Sequence, residues 1–418
     1  MILEPYIYYK ENQLMMEELK IEDIMKETGT PAYLYSKGSL LNQLKQLKEA
    51  FQNSNVLFCY SLKVCHNINI ANVFVNEGCG IDIVSGGELY RALKAGADPK
   101  KIVYSGVAKT SKEIKEAIEA DILMFNVESE QELMRINSIA ASMNKKVSIS
   151  LRINPGVDAK THPYITTGMK ENKFGIDCEM GLEIYKSAMQ MENINICGID
   201  LHIGSQLLDI TPYGEAMKVV ADYVRTLKSM NIPIKYVDIG GGIGIPYTAD
   251  KSTPDLLEYA RLITEPFKDL SEITFILEPG RFLTAQAGLL ITEVQYIKDN
   301  SYGKRFVIVD TGMHHLIRPS LYQAYHEIIP VIKKEKQKNK VDVVGPICES
   351  SDFLAKDRLI EEAKQGDLLA VTDAGAYGMS MASHYNSHEL PVEVLVSKDA
   401  YKIIKKRETY VDLLQGEL

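Results

Sequence analysis

The sequence predicts an α/β protein in which a closed (β/α)8 barrel is joined to a mainly β domain. Between about residues 55 and 280, short and nearly apolar runs alternate with helix-like stretches. Such runs are typical of parallel strands buried on both faces. After about residue 282 the pattern changes to strand-like runs separated by turn residues. We therefore expect a barrel over residues 36–282 and a β domain formed by residues 1–35 together with 283–418.

The number of strand-like runs determines the type of barrel. The eight runs are Val56–Tyr60, Gly80–Val84, Ile102–Tyr104, Ile122–Asn126, Val147–Ile153, Ile196–Ile203, Tyr236–Ile239 and Thr274–Leu277. Between them, apolar residues recur at three and four positions in Gly86–Lys94, Ser111–Ala120 and Glu128–Met143, which predicts helices. Eight such units predict a TIM-type barrel. The longest connection contains Asp158–Gly175, which we expect to be a functional loop above the barrel.

The C-terminal third has the spacing of antiparallel β structure. Its expected strands are Leu289–Ile297, Arg305–Asp310, Val341–Ile347, Leu368–Thr372, Val392–Val396 and Tyr401–Lys405. Ser397–Ala400 suits a hairpin turn between the last two strands. Tyr6–Tyr9 and Gln13–Glu17 suggest another hairpin, which would bring the start of the chain into the same domain.

Composition narrows the functional class. Lys and Arg number 47 against 56 Asp and Glu, a net charge of −9, so a nucleic-acid binder would need a concentrated basic face. No stretch approaches the ~20 apolar residues of a membrane span, and the N-terminus lacks a signal pattern. The six cysteines include no Cys-x-x-Cys, which argues against a disulfide framework or a zinc ribbon. We expect a soluble cytoplasmic protein without a metal site and without nucleic-acid or membrane partners.

Chemically capable residues recur where the barrel strands end, which is where barrel active sites lie. In chain order these are Lys63, Asp82, Arg152, His202, the glycine loop Gly240–Gly244 and the turn Glu278–Arg281. Three consecutive glycines allow backbone N–H groups to converge on a phosphate. A tight turn without a ligand is the alternative interpretation. A dinucleotide fingerprint fits poorly, because its third glycine would fall at Ile245.

Lys63, the glycine loop and Glu278 together suggest one cofactor. A lone lysine at a strand end is usually solvated. Beside a phosphate site and a carboxylate, however, Lys63 could form a Schiff base with pyridoxal 5′-phosphate. Glu278 would then keep the pyridine nitrogen protonated, and His202 could lie flat against the ring. A hydrogen-bonded structural histidine is an equal alternative for His202 taken by itself.

This combination resembles the pyridoxal-phosphate decarboxylases of the alanine-racemase fold, which act on diaminopimelate, ornithine and arginine. The resemblance rests on Tyr60-x-x-Lys63, His202–Ser205, the glycine loop and Glu278–Arg281, and it runs across nearly the whole chain. It implies a set of cofactor contacts, namely Lys63, Asp82, His202, Ser205, Gly240, Gly241, Gly242, Glu278, Gly280, Arg281 and Tyr377. It also implies catalytic roles for Lys63, His202 and Cys348.

Three C-terminal segments, Ile317–Tyr322, Gly345–Asp352 and Ala374–Gly378, resemble those of the diaminopimelate decarboxylases. By that resemblance, Arg281, Arg318 and Tyr322 would hold the carboxylate that is kept. Glu349 would bind the neighbouring ammonium, and Tyr377 would approach phosphate and substrate. Cys348 and Glu349 would come from the partner subunit of a homodimer. Cys348 is the expected proton donor, with Lys63 or water as alternatives.

The expected reaction is therefore decarboxylation of meso-2,6-diaminopimelate to L-lysine, the last step of lysine biosynthesis. Two arginines offer forked donors for a distal carboxylate, which ornithine lacks. The alternatives are a decarboxylase of ornithine, arginine or a carboxylated polyamine, and a decarboxylase-like regulator without catalysis. The chain departs from the usual pattern at Ser61, Cys65-His66, His314-His315 and Ser351, none of which is assigned to chemistry.

Overall fold

A computed structural model of the protein describes residues 5–157 and 173–417. Most of the expected loop Asp158–Gly175 therefore lies outside the described residues. The chain divides into two compact units. The barrel unit comprises Leu44–Ile245 and Thr253–Gly280, and the β unit comprises Met1–Gln43, Pro246–Ser252 and Arg281–Leu418.

The chain begins with a small meander followed by a strand of the β unit. The elements are β1 (Ile7–Lys10), β2 (Gln13–Met16), β3 (Leu19–Lys20), α1 (Ile21–Thr28), β4 (Ala32–Ser36) and α2 (Lys37–Ala50). Strands β1 and β2 form the expected antiparallel hairpin, with Ile7 opposite Met16. β4 was not predicted, because Ala-Tyr-Leu-Tyr-Ser is buried at every position and shows no alternation.

The barrel unit contains the predicted eight-stranded parallel barrel. Its strands are β5 (Val56–Ser61), β6 (Gly80–Ile83), β7 (Ile102–Tyr104), β8 (Met124–Val127), β9 (Val147–Asn154), β11 (Ile194–Asp200), β12 (Tyr236–Asp238) and β13 (Thr274–Leu277), with the short β10 (Ile176–Asp177) beside β9. Each barrel strand pairs in parallel with the next, and β13 pairs back to β5. The closed barrel confirms the predicted fold class.

The barrel helices follow the predicted alternation with the strands. They are α3 (Ile68–Asn76), α4 (Gly86–Lys94), α5 (Ser111–Ala120), α6 (Glu130–Ser142), α7 (Cys178–Ala188), α8 (Thr211–Ser229) and α9 (Leu256–Thr264). Side-chain caps fix several helix starts: Thr110 and Glu113 form a reciprocal capping box at α5, and Ser129 caps α6.

One strand boundary differs from the expectation in a way that affects the site. The sixth barrel strand ends at Asp200, whereas the sequence predicted that it would extend to Ile203. Its neighbour β12 ends at Asp238, and Gly240 then takes a left-handed backbone with φ of 66°. Without a continuing partner strand, the chain leaves the ladder after Asp200, so His202 lies just beyond the strand.

The interior of the barrel is divided by polarity. A cluster of apolar and thiol side chains fills one part, formed by Cys59, Val103, Met124, Cys197 and Ile276. Towards the carboxyl ends of the strands the buried residues become polar, among them Asp82, Asn126 and Asp238. Burying this many polar groups requires that they bond to one another or to a ligand.

The C-terminal part of the β unit is built around one long strand. Its elements are α10 (Arg281–Thr284), β14 (Gly288–Asp299), β15 (Arg305–Val309), α11 (Arg318–Tyr322), β16 (Ile328–Pro330), β17 (Lys338–Val344), β18 (Phe353–Glu361), β19 (Leu368–Val371), β20 (Val392–Ser397), β21 (Ala400–Lys405) and α12 (Tyr410–Leu413). The main strand order is β18-β17-β15-β14-β4-β20-β21, with β19 also paired to β14. The predicted hairpin at Ser397–Ala400 joins β20 and β21.

In the C-terminal part of this unit, β16 and β18 were not expected, and β17 is shorter than predicted. β17 ends at Val344 rather than Ile347, because Gly345-Pro346 follows and proline cannot donate to a ladder. β18 was missed because Lys356-Asp357-Arg358 interrupts its apolar pattern, as edge strands allow. Over the two described ranges, no helix has the length and apolar character needed to cross a membrane. The same ranges contain no cluster of three His, Cys, Asp or Glu side chains suited to a metal ion.

Candidate active site

Lys63 lies in a short turn directly after β5. Its ammonium nitrogen is 2.6 Å from Oδ2 of Asp82, which ends β6 and is fully buried. The Ser61 hydroxyl lies 2.8 Å from the same Asp82 oxygen. These contacts orient an amine at the carboxyl ends of the strands, which is the position that the sequence predicted for Lys63 and Asp82.

Four carboxyl groups gather beneath this lysine. Asp82, Asp200, Asp238 and Glu278 are each at most 5% exposed. Burial, followed by the charges of Asp238 and Asp82, holds the pKa of Glu278 well above its usual range. Burial likewise raises the pKa of Asp238 to about 7. Such a cluster favours any cationic group placed beside it.

A hydrogen-bond network ties Glu278 to neighbouring strands. Ser105 donates its hydroxyl to Oε1 of Glu278 at 3.3 Å, and the Asn126 amide donates to Ser105 at 3.1 Å. The same amide lies 3.1 Å from Oδ2 of Asp238. Ser105, Asn126 and Asp238 were not predicted as site residues. Asp238, two residues before the glycine loop, had the clearest signal, whereas Ser105 and Asn126 look like ordinary strand residues.

Arg152 lies on β9, where it forms ion pairs with carboxylates of the barrel unit. Its guanidinium donates to Oε1 of Glu128 at 2.8 Å and lies 3.9 Å from Asp200. These buried pairs account for the arginine without a ligand.

The glycine loop follows β12 and is shaped by its packing. A Cβ at Gly241 would lie 2.3 Å from the Glu278 carbonyl oxygen, and one at Gly240 would lie 2.5 Å from Nδ1 of His202. Gly242 has a φ of 105°, which L side chains rarely adopt. The Gly241 carbonyl accepts a hydrogen bond from Tyr213, and the Gly242 carbonyl accepts one from the Leu207 N–H. The carbonyls are therefore engaged with the protein, which suits a loop that presents its N–H groups to an anion.

His202 is a half-buried neutral imidazole. Burial, followed by the positive charges of Arg152 and Lys63, holds its pKa well below the usual range. Ser205 lies half-buried three residues further along the same loop. An uncharged imidazole can stack on a planar ring without adding a repelling charge.

The residues of the barrel unit fit pyridoxal 5′-phosphate. The cofactor needs an amine, an anion cradle and an acid to face its ring nitrogen. Lys63 supplies the amine, the glycine loop is a cradle that Cβ atoms would fill, and Glu278 lies in a carboxyl cluster that a cation would neutralise.

In the β unit, two arginines share one aromatic ring. Arg281 donates to the Tyr247 hydroxyl at 2.9 Å, and the Arg318 guanidinium carbon lies 4.8 Å from the Tyr247 ring centroid. Arg281 also lies over Tyr377, at 4.9 Å from the ring centroid. Tyr322, another predicted substrate residue of this unit, is half-buried at the end of α11. Stacking on aromatic faces leaves guanidinium edges available for a planar anion.

His326 fixes Arg318 in this cluster. Arg318 Nη1 donates to Nε2 of His326 at 2.8 Å, and the other ring nitrogen lies 2.8 Å from the Thr372 carbonyl. Burial, followed by the Arg318 charge, lowers the pKa of His326 to about 3, so the ring is neutral and protonated on Nδ1. Arg318 is only 5% exposed and, among the residues that the structure describes, forms no ion pair with a carboxylate. Neither Tyr247 nor His326 was predicted as a site residue, because neither lies in one of the segments that carry the resemblance.

Cys348 and Glu349 of the β unit differ in their surroundings from the residues of these clusters. Both are exposed, on the segment between β17 and β18. The thiol is the one exposed cysteine of the chain, since the other five are buried or half-buried. Their exposure in a single chain leaves them accessible to a second subunit.

The chain is similar over nearly its whole length to known proteins. Residues 37–285 match the family described as pyridoxal-dependent decarboxylase, pyridoxal binding domain. The diaminopimelate decarboxylase of Aquifex aeolicus is 47% identical over 414 residues, covering 99% of this chain and 98% of the relative. That of Haemophilus influenzae is 46% identical over 409 residues, covering 98% of each.

Solved structures give the same result. Diaminopimelate decarboxylase from M. jannaschii in co-complex with L-lysine superposes with a TM-score of 0.95 at 40% identity, covering 100% of this chain and 99% of the other. The enzyme from Helicobacter pylori, complexed with L-lysine, gives a TM-score of 0.91 at 44% identity, covering 95% and 98%.

Proposed function

The chain belongs to the pyridoxal-dependent diaminopimelate decarboxylases, and from that membership we propose how its residues convert meso-2,6-diaminopimelate into L-lysine and CO2. The single observation that carries the substrate assignment is the Arg281–Tyr247–Arg318 stack, in which the buried Arg318 forms no ion pair with a carboxylate among the described residues. Leaving such a guanidinium without an anion is costly, so the site selects a substrate with a second carboxylate.

The barrel unit would hold pyridoxal 5′-phosphate. Lys63 would bind it through the side-chain amine, Glu278 would face its ring nitrogen, and His202 would lie against its ring. Asp82, Ser205, Gly240, Gly241, Gly242, Gly280, Arg281 and Tyr377 complete the proposed cofactor contacts. When bound, the cofactor supplies an electron-accepting ring that stabilises the carbanion left by departing CO2.

The substrate would be oriented by charge at the end that does not react. Arg281, Arg318 and Tyr322 receive the retained carboxylate, and Tyr377 approaches both phosphate and substrate. Glu349 accepts hydrogen bonds from the neighbouring ammonium. Binding one amino-acid end in this way presents the other for loss of its carboxylate, which explains why only one CO2 leaves.

A proton must then be delivered to the carbon that lost CO2. We assign this to the Cys348 thiol, with Lys63 and water as the competing donors. A thiol that is accessible from outside its own chain can serve a second subunit. We therefore propose a cytoplasmic homodimer in which Cys348 and Glu349 of one protomer complete the site of its partner. Nucleic acid is not a proposed partner.

Turnover measurements test this assignment. The holoenzyme should release CO2 from meso-diaminopimelate and form L-lysine, with little release from ornithine, arginine or lysine. Borohydride reduction should bleach the yellow protein and leave a pyridoxyl mass on Lys63. Preferential release of CO2 from ornithine would contradict the substrate, and an unmodified Lys63 with added cofactor would contradict the lysine's role.

Shared sites can be tested with mixed subunits. Lys63→Ala and Cys348→Ala chains are each expected to be inactive. After subunit exchange, the hybrid should regain one intact site, provided that the two residues act across the subunit boundary. Proven exchange without recovered turnover would refute shared sites.

A further inference from the structure

The segment that bears Cys348 and Glu349 is fixed by a second loop of the β unit. The Asn386 side-chain oxygen accepts a hydrogen bond from the Cys348 N–H at 2.9 Å. The Tyr385 hydroxyl donates to Oε2 of Glu349 at 2.7 Å. Two adjacent residues of one loop therefore bond to two adjacent residues of another.

These contacts determine the orientation of the Glu349 carboxylate. Its second oxygen, Oε1, accepts a hydrogen bond from the Ser351 hydroxyl at 2.5 Å. The base of the segment is anchored by Asp352, whose carboxylate accepts from the Ile347 N–H at 2.7 Å and the Met313 N–H at 2.6 Å. Ser351 and Asp352 lie on the same segment as Glu349, whereas Tyr385 reaches it from elsewhere in the chain.

An exposed glutamate normally samples several rotamers, and restricting it costs conformational entropy. With one donor on each oxygen, the carboxylate is restricted before any ligand arrives. The same donors, Ser351 first and then Tyr385, lower the pKa of Glu349 and so keep it anionic. An oriented anion is what a substrate ammonium requires.

The backbone of the supporting loop is itself unusual. Asn386 and Ser387 have φ values of 54° and 59°, so two consecutive residues are left-handed. Asparagine tolerates this conformation better than most residues. The conformation also directs the Asn386 side chain towards the Cys348 amide. Backbone strain of this kind is commonly located at functional sites.

We propose that Tyr385 and Asn386 are positioning residues for the decarboxylation reaction: Tyr385 orients the Glu349 carboxylate, and Asn386 holds the Cys348 backbone. This proposal rests on the proposed function, which gives Glu349 the substrate ammonium and Cys348 the proton transfer. Neither Tyr385 nor Asn386 needs to touch the substrate.

The first test is the Tyr385→Phe holoenzyme assayed with meso-diaminopimelate. Losing one hydrogen bond to a charged group should raise KM about fivefold, while kcat stays within about twofold. Tyr302→Phe is the matched control, since Tyr302 is 92% exposed at a hairpin tip. A wild-type KM in Tyr385→Phe would overturn the role of Tyr385, as would an equal loss in both variants.

The second test compares glycine substitutions at neighbouring left-handed residues. Asn386→Gly and Ser387→Gly both relieve the backbone, but only the first removes the acceptor for Cys348. Asn386→Gly should lower kcat about tenfold, and Ser387→Gly should keep it within about twofold. An unchanged kcat in Asn386→Gly would overturn the role of Asn386. Circular dichroism and thermal melting of each variant measure folding directly.

The third test asks where the effect is exerted. In hybrids of Tyr385→Phe with Lys63→Ala subunits, the one site that retains Lys63 receives an intact Tyr385 and Glu349 from the partner subunit. Its KM should return to the wild-type value. A KM that stays raised despite proven exchange would overturn positioning across the boundary. Turnover of diaminopimelate by the wild-type enzyme tests the proposed function alone. If this turnover is normal and the KM of Tyr385→Phe is also normal, only the positioning role is rejected.

Discussion

Replacing Arg318 by glutamine should weaken binding of the retained carboxylate without unfolding the β unit. The side chain is 5% exposed and donates to Nε2 of His326 at 2.8 Å. A glutamine amide can still donate to that nitrogen, whereas alanine would leave it buried and unpaired. What is lost is a charge-assisted contact to an anion, worth about 2–3 kcal/mol at a desolvated site, or about 30- to 150-fold in affinity.

Product analogues isolate this contact. L-lysine carries the carboxylate that the arginines would receive, and 1,5-diaminopentane has the same amines without it. Both compounds are measured as competitive inhibitors of the wild-type enzyme and of Arg318→Gln. The substitution should weaken the affinity for lysine about 30- to 150-fold and leave the affinity for the diamine unchanged. Arg261→Gln, which removes only a surface ion pair with Glu258 on α9, serves as the control. Equal losses for lysine and the diamine, or none for lysine, would refute carboxylate binding by Arg318.

Further predictions concern the glycine loop, the histidine pair and the exposed thiol. Gly241→Ala should reduce cofactor retention on dialysis, because its Cβ would lie 2.3 Å from the Glu278 carbonyl oxygen, whereas Gly87→Ala, with its nearest atom at 3.8 Å, should retain the cofactor. His314 is 1% exposed, and neither ring nitrogen has a hydrogen-bond partner among the described residues. Burial lowers the pKa of His314 to about 3, whereas a histidine in the unfolded chain has a pKa of about 6.5. Between these two pH values the unfolded chain therefore binds one more proton than the folded chain. The free energy of unfolding therefore decreases as the pH falls, and His314→Phe should reduce the slope of this decrease by about 1.4 kcal/mol per pH unit between pH 6 and pH 4. Denaturant unfolding measures this slope, and an unchanged slope in the variant would contradict the prediction. Iodoacetamide should label Cys348 first and abolish turnover, and L-lysine should slow both; labelling that leaves turnover intact would remove the thiol from the mechanism.

The parts of the fold that repeat could be predicted from sequence. Each barrel strand is an apolar run followed by a helix pattern, and eight repetitions leave one closed arrangement. The β unit offers no such repetition. β4 has no alternating pattern because it is buried on both faces, and β18 lies at a sheet edge where charged side chains are tolerated. Pairing between distant strands leaves no mark in a single sequence.

The candidate site divides in the same way. Lys63, the glycine loop and Glu278 stand in short segments whose composition is unusual for a strand end. Asn126 and His326 do not, because their importance comes from a partner on another strand. A single polar residue in an apolar run does not indicate a functional role until the fold brings a second polar residue beside it. The groups assigned to chemistry could therefore be predicted from the sequence, whereas the contacts that support them could not.

The position of β4 has a consequence for biosynthesis. It pairs on one side with β14 and on the other with β20, both of which leave the ribosome long after it does. The intervening barrel segment can condense as a nearly continuous insert while β4 still awaits both neighbours. A nascent chain interrupted before β20 would therefore carry a strand of Ala-Tyr-Leu-Tyr-Ser with an unpaired edge, a ready template for aggregation. Translation has to reach the last thirty or so residues before the sheet begun by the first forty can be completed.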